Sequence, residues 1–388
     1  MTRHTTSRRT ILKAGLATAV AGLMPGLLWR SRAWANAQEV RLGYILSDHH
    51  APLMVLAKEW EYFQDKFGIY LKPVADTKLY DFFYDGAKLA RFQFIPTKKG
   101  PDLEKLLAQG SVDVAITGTQ AIMMSVDRGV GSRLVSPLQT EGNGFILRKN
   151  SSMNTWQDFV REMKGSKRAF AIGIPGPDTS PGIIFKDGLR SAGISLSENP
   201  NDKNVDVVLI NMKGHGNVVP GLVNGLCEAI VATQPFASLA AKQGGGKLVL
   251  NLQDLPGGKW KGHSCCSVEA APAMMAERKE LLVQTLELIV LGAQEANADK
   301  AMTARAAATW LAVDESVEID SLTTMGYTTD PTPHWIQSVH AYAEPMESMG
   351  VLTGLLKGKR GKDIDPLLFD FSFLDQAHAN LKLKKFLL

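Results

Sequence analysis

Twice along this chain, short apolar runs alternate with segments whose apolar residues recur every three or four positions. That alternation limits the fold more than any other feature. In the first block Val40–Leu46 reads as a buried strand, and Ala51–Phe63 as a helix with Leu53, Leu56, Ala57, Trp60 and Phe63 on one face. Ile69–Val74 is a strand, Pro101–Gln109 a helix closed by Gly110, Val112–Ile116 a strand and Thr119–Val126 a helix. The aromatic run Tyr80–Ile95, with Asp85-Gly86 at its centre, reads as a hairpin. The second block repeats the pattern. Strands are expected at Arg168–Ile174, Val205–Asn211, Ala229–Ala232 and Lys247–Leu250, and helices at Pro181–Ala192, Val218–Asn224 and Pro235–Lys242. Such alternation builds parallel sheets covered by helices, because parallel neighbours need a crossover connection. Gln139–Asn143 and the extended run Gly144–Arg148 link the blocks. A glycine-rich stretch, Leu255–Gly262, leads back to helical sequence at Met274–Ala296 and Met302–Ala312. The expected fold class is α/β: two lobes with parallel-rich sheets flanked by helices, two crossings, and a helical C-terminal tail on the first lobe. The first lobe would hold residues 38–140 and 265–388, the second 141–264.

The first 37 residues stand apart from this pattern. Ser7-Arg8-Arg9-Thr10-Ile11-Leu12-Lys13 is a twin-arginine pair leading into a weakly apolar run, with small residues for cleavage at Ala33-Trp34-Ala35 or Ala35-Asn36-Ala37. The run is only about 15 residues, against the ~20 of a spanning helix. Residues 1–37 are therefore expected to be a twin-arginine export signal, removed outside the cytoplasm, and a periplasmic location follows. Charge depends on that reading. Six of the 43 basic residues and none of the 39 acidic ones fall in the leader, leaving 37 against 39, net −2. A chain so nearly neutral is no candidate for nucleic acid. The most apolar later stretch, Leu281–Gly292, is short and contains Gln284 and Glu287.

In open α/β sheets, ligands bind beyond the carboxyl ends of the strands. Four such ends look alike. Val40–Leu46 leads through Ser47-Asp48-His49-His50 to Pro52. Val112–Ile116 leads to Thr117-Gly118-Thr119-Gln120. Arg168–Ile174 leads through Asp178-Thr179-Ser180 to Pro181, and Ala229–Ala232 leads to Thr233-Gln234-Pro235. Proline suits a first helical residue, and Thr and Ser hydroxyls sit near free helix N–H groups. Two helix N-termini per lobe could thus face one cleft and receive a small anion or polar group.

Enzymatic signatures such as G-x-S-x-G, H-E-x-x-H and G-x-x-x-x-G-K-[ST] are missing from the sequence. No catalytic role and no cofactor are expected. Cys227, Cys265 and Cys266 are too few for a disulfide framework. His263-Ser264-Cys265-Cys266 could contribute to a soft-metal site, which keeps open a metal-binding or enzymatic alternative. A sensor using the same fold is a further alternative.

Several runs carry a resemblance. They are Gly43–Leu53, Gly110-Ser111-Val112-Asp113-Val114-Ala115-Ile116-Thr117-Gly118, Gly173–Ser180, Val223-Asn224-Gly225, Gln234-Pro235-Phe236-Ala237 and His263–Cys266. From about Val40 to Asp375 the chain resembles the periplasmic substrate-binding proteins of nitrate/sulfonate/bicarbonate-type ABC importers, a group that includes thiamine-pyrimidine-related proteins. The resemblance implies the two-lobed type II periplasmic binding fold. It also implies a small-molecule solute in the interlobe cleft, a membrane permease as partner, and a monomer. Ligand contacts would come from His49 and His50, from Thr117, Gly118, Thr119 and Gln120, from Asp178, Thr179 and Ser180, and from Gln234, with Cys265 near the hinge. Fungal pyrimidine-synthesising relatives carry a longer cysteine run, of which Cys265-Cys266 is all that stands here. Tyr80–Ile95 exceeds the family's usual length and is expected near the cleft mouth.

Overall fold

Residues 38–387 are described in a computed structural model; the expected leader, residues 1–37, lies outside them. The strands in chain order are β1 (Gln38–Ile45), β2 (Ile69–Ala75), β3 (Leu79–Tyr84), β4 (Ala87–Thr97), β5 (Val114–Gly118), β6 (Arg133–Glu141), β7 (Asn143–Arg148), β8 (Phe170–Ile174), β9 (Leu196–Ser197), β10 (Val207–Asn211), β11 (Ala229–Thr233), β12 (Gly246–Asn251), β13 (Ser264–Ala270) and β14 (Met325–Tyr327). Among the described residues they form two sheets, ordered β14-β6-β13-β5-β1-β4-β3-β2 and β12-β7-β11-β8-β10-β9. The helices before the second crossing are α1 (Ala51–Lys58), α2 (Trp60–Phe67), α3 (Gly100–Ala108), α4 (Thr119–Asp127), α5 (Trp156–Gly165), α6 (Ser180–Ser191), α7 (Val218–Val223) and α8 (Phe236–Lys242). After it come α9 (Pro272–Glu277), α10 (Lys279–Ala298), α11 (Lys300–Leu311), α12 (Glu315–Ser321), α13 (Pro333–His340), α14 (Ala343–Ser348), α15 (Asp365–Leu368) and α16 (Ser372–Leu383). No helix among the described residues is long and apolar enough to cross a membrane.

The first sheet is organised around β1, which pairs in parallel with β4 and β5. Helix α3 lies so close over it that a Cβ on Gly43 would come within 2.2 Å of Leu103. Each parallel core is flanked by antiparallel strands, so both sheets are mixed. β13 runs against β5 and β6, and β7 against β11 and β12. These antiparallel strands lie at the crossings. The chain enters the second sheet at Gly142, between β6 and β7, and returns through Leu252–His263 into β13.

The expected hairpin forms at Asp85-Gly86, both with positive φ, but away from the cleft mouth. Its strands extend the outer edge of the first sheet, with Tyr80, Phe82 and Phe92 fully buried. Two helices expected as single pieces are broken, at Glu59 and at Arg278. Arg278 breaks its helix while pairing with Asp113.

The tail divides between two cores. α10, α11 and α16 pack on the first sheet, where Gly292 lets α10 approach α1 too closely for any Cβ. α13 to α15 instead share a core with α4 and α6, through Trp335, Tyr342 and Leu368 against Met123 and Phe185. The tail therefore spans both lobes rather than covering only the first. Asp127, at the end of α4, anchors it: its carboxylate accepts from the backbone N–H groups of Thr353, Gly354 and Leu356 at 2.8–3.0 Å. Asp127→Ala would strand three donors at a buried site and should cost roughly 3 kcal/mol. Thermal or urea denaturation checks this, and an unchanged midpoint would contradict the anchoring role.

Candidate functional site: the interlobe cleft

The loop after β1 is polar yet wholly buried: Ser47, Asp48, His49 and His50 are each at most 3% exposed. Local hydrogen bonds account for its shape. Ser47 Oγ accepts from the His49 N–H at 3.2 Å and donates to the Gln234 carbonyl of the second lobe at 2.7 Å. The Ile45 N–H donates to His50 Nδ1 at 3.0 Å. That contact places the His50 proton on Nε2, which is buried and has no partner. Burial, then the charge of His49, pushes His50 down to about 3. His50 is therefore a neutral imidazole that holds one unused N–H donor in a closed space.

His49 faces the opposite way. Its Nε2 donates to the Gly142 carbonyl at 2.8 Å, and its Nδ1 meets Cys265 Sγ at 3.4 Å and Cys266 Sγ at 3.8 Å. Burial opposes charge on either partner, yet the pair overcomes it. A hydrogen bond from Cys266 and the facing His49 ring hold the Cys265 thiol well below its ordinary value, and Cys265 in turn raises His49. Cys266 moves the other way: burial and its neighbour's negative charge hold its proton on. Asn143 Nδ2 also donates to Cys265 Sγ at 3.4 Å.

Across the cleft, Thr179 caps α6 by accepting from the Gly182 N–H. Ser180 Oγ donates to Gln120 Oε1, and Gln120 Nε2 donates to the Asp178 carbonyl at 3.0 Å. Gln120, at the start of α4, thus bridges to the start of α6. His215 Nδ1 lies 2.6 Å from Thr233 Oγ1; burial, then His49, lowers this imidazole to about 4. Together these groups enclose an inner void of about 20 Å³, room for about one water. An outer pocket of about 280 Å³ adjoins it at His215, lined on its apolar side by Phe236, Trp310 and Leu311 and on its polar side by Thr97 and Lys98.

Of the residues expected from sequence, His49, His50, Gly118, Gln120, Thr179, Ser180 and Cys265 line the inner void. Thr117, Thr119, Asp178 and Gln234 do not. Thr119 pairs with Ser267, Asp178 contributes its carbonyl, and Gln234 uses its side chain on Ser238 and Thr324. Pro235 is the N-cap of α8 rather than its first residue. His263 engages the Trp260 carbonyl and Asn143 and lies beside the Cys265 thiol, while His49 is the imidazole whose Nδ1 meets both sulfurs. Ser47, Thr233 and His215 were missed as lining residues. His215 follows β10, and the rule applied to four strand ends finds it when extended to that fifth one.

Two buried carboxyl pairs flank the cleft. Glu318 faces Asp48, and burial followed by that charge pushes Glu318 up to about 10. Glu269, on β13, faces Glu104 and is likewise raised. A carboxyl raised in the fold lends stability below its ordinary value of 4.5, lost as pH rises through the folded one. The depressed histidines act oppositely: their contribution is present above about 6.5 and lost as pH falls toward 3–4. The melting temperature should therefore peak in weakly acid solution. Glu318→Gln should flatten the alkaline decline between pH 6 and 9; a decline parallel to wild type would refute this role of Glu318.

Comparison with known proteins places this geometry in a class. Residues 33–312 match the NMT1-like family, and the chain belongs to it. Uncharacterized protein MJ1180 of Methanocaldococcus jannaschii is 34% identical over 109 residues, 28% of this chain and 75% of that protein. Among solved structures, the periplasmic nitrate-binding protein NrtA of Synechocystis superposes with a TM-score of 0.69 at 13% identity, covering 90% of each chain. The zinc-bound ligand-binding component of an ABC-type import system from Staphylococcus aureus gives 0.66 at 15%, covering 88% of this chain and 99% of that one. The alkanesulfonate-binding protein SsuA of Xanthomonas axonopodis, bound to MOPS, gives 0.60 at 15%, covering 85% and 98%. At these identities the structures establish the fold, the two-lobed type II periplasmic binding architecture.

Proposed function

We propose that this chain is the extracytoplasmic solute-binding component of an ABC importer. It takes one small anionic or polar organic solute, such as a sulfonate, nitrate or bicarbonate, between its lobes and delivers it to a membrane permease. The reading includes export by the twin-arginine route to the periplasm, action as a monomer, and no catalytic step. The observation that carries it is the unpartnered His50 Nε2–H, buried at the lobe boundary beside Ser180 and Gln120. An unsatisfied buried donor costs free energy unless a ligand accepts from it. A solute oxygen would accept from His50 and from Ser180, whose hydroxyl would turn from Gln120 to meet it, while an organic body would lie in the outer pocket against Trp310 and Phe236, with Lys98 at its edge. Closure then follows from tighter binding to the closed form. The names of the solved relatives supply sulfonate and nitrate as solute classes, the resemblance adds bicarbonate, and the family supports the importer setting.

The test is a thermal-shift and calorimetric screen of residues 38–388 against alkanesulfonates, nitrate, bicarbonate, aromatic acids and pyrimidines. A true solute should stabilise by about 2.7 kcal/mol at a hundredfold excess over Kd. His50→Ala and Ser180→Ala should each weaken it at least about tenfold, the equivalent of one lost hydrogen bond. Binding that survives both substitutions, or no binding across the panel, would refute the reading.

A further inference from the structure

Consecutive residues of a regular strand point to opposite faces of the sheet. Cys265 and Cys266 do not obey this. The register of β13 against β6 shifts on both sides of Cys266, and a bulge of this kind re-aims a side chain. As a result both sulfurs face one imidazole: His49 Nδ1 and the two Sγ atoms all lie within 4.8 Å of one another, with all three residues buried. The His49 ring is fixed from behind. Its Nε2–H is committed to the Gly142 carbonyl, which directs Nδ1 at the sulfurs. A backbone carbonyl on the far nitrogen is the usual device for orienting an imidazole ligand. A Cβ on Gly142 would come within 2.6 Å of His49 Nε2, so only glycine permits the contact.

The neighbouring donors are already engaged. His50 Nδ1 accepts from Ile45, His215 Nδ1 meets Thr233, and His263 spans Trp260 and Asn143. The set is therefore two sulfurs and one nitrogen, beside a void of about 20 Å³ that admits an atom-sized guest. Soft thiolate ligands select monovalent copper or zinc; zinc on three protein ligands still needs a fourth, a water, whereas monovalent copper is complete with three. We propose that His49, Cys265 and Cys266 form a three-coordinate site for monovalent copper, built into the first lobe and closed over by the second. The ligand protons leave as the metal binds. The site does not depend on the transport reading: the unpartnered His50 Nε2–H, on its rim, stays free for a solute.

The test uses the protein of residues 38–388, reduced and metal-free, titrated with monovalent copper in competition with a chromogenic copper chelator. One copper per chain is expected. Cys265→Ser and Cys266→Ser should each lower affinity at least about a hundredfold, His49→Ala at least about tenfold, and Cys227→Ser, which alters the buried cysteine of the second lobe, should have no effect. X-ray absorption of wild-type protein loaded with copper keeps the proposal testable if a variant misfolds, and should find two sulfurs and one nitrogen. Binding no tighter than the chelator, retention by Cys265→Ser, a shell without sulfur, or equal affinity for divalent zinc would each overturn it. Sulfonate and nitrate binding measured on the same metal-free protein separates this outcome from failure of the transport reading.

Discussion

The hydrogen bond from His49 Nε2 to the Gly142 carbonyl ties together the parts that matter. Gly142 is where the chain leaves one sheet for the other, with φ of 71° and no space for a side chain. His49 belongs to the loop at the end of the central strand. One contact at 2.8 Å therefore fixes the hinge relative to the first lobe and sets which edge of the imidazole faces the cysteines. The Glu141 N–H bond to the His263 carbonyl holds the returning strand against the same point. The ligand loop and both crossings thus meet in one buried knot, and the geometry of the cleft follows from it.

Electrostatics at this knot depend on withheld water. Three histidines, two cysteines and two carboxyl pairs sit where solvent cannot screen them, so each settles its charge against its neighbours. Burial keeps His50 and His215 neutral, and proximity lets His49 and Cys265 share charge. Neutral, oriented donors would suit the proposed solute receptor, since a full buried charge would hold an ion too firmly or demand a counterion.

The α/β pattern was legible because apolar runs bounded by proline and glycine mark buried strands and helix starts. β13 was not. Its sequence, Ser264-Cys265-Cys266-Ser267-Val268-Glu269-Ala270, has no apolar alternation, yet every residue is buried. Pairing on both sides, a carboxyl partner and a bulge explain it, and none of these leaves a periodic signal. α5 went unread for a related reason, lying between the two alternating blocks, and β6, at the end of the first, has its apolar run broken by Ser136 and Pro137. The breaks at Glu59 and Arg278 come from tertiary packing, which overrides a continuous helical face. At the site, helix-start chemistry and the resemblance together found half of the lining, but Gln234 and Thr119 satisfy the protein itself, and His49 rather than the sequence-adjacent His263 meets both thiols.

A crystal structure of residues 38–388 grown with a short alkanesulfonate, and a second grown with nitrate, tests the central claim most directly. The account predicts an anion oxygen within hydrogen-bonding distance of His50 Nε2 and Ser180 Oγ in at least one of them, with both lobes in contact with the ligand. An anion found only outside the cleft, or a His50 Nε2–H satisfied by the protein itself, would contradict it.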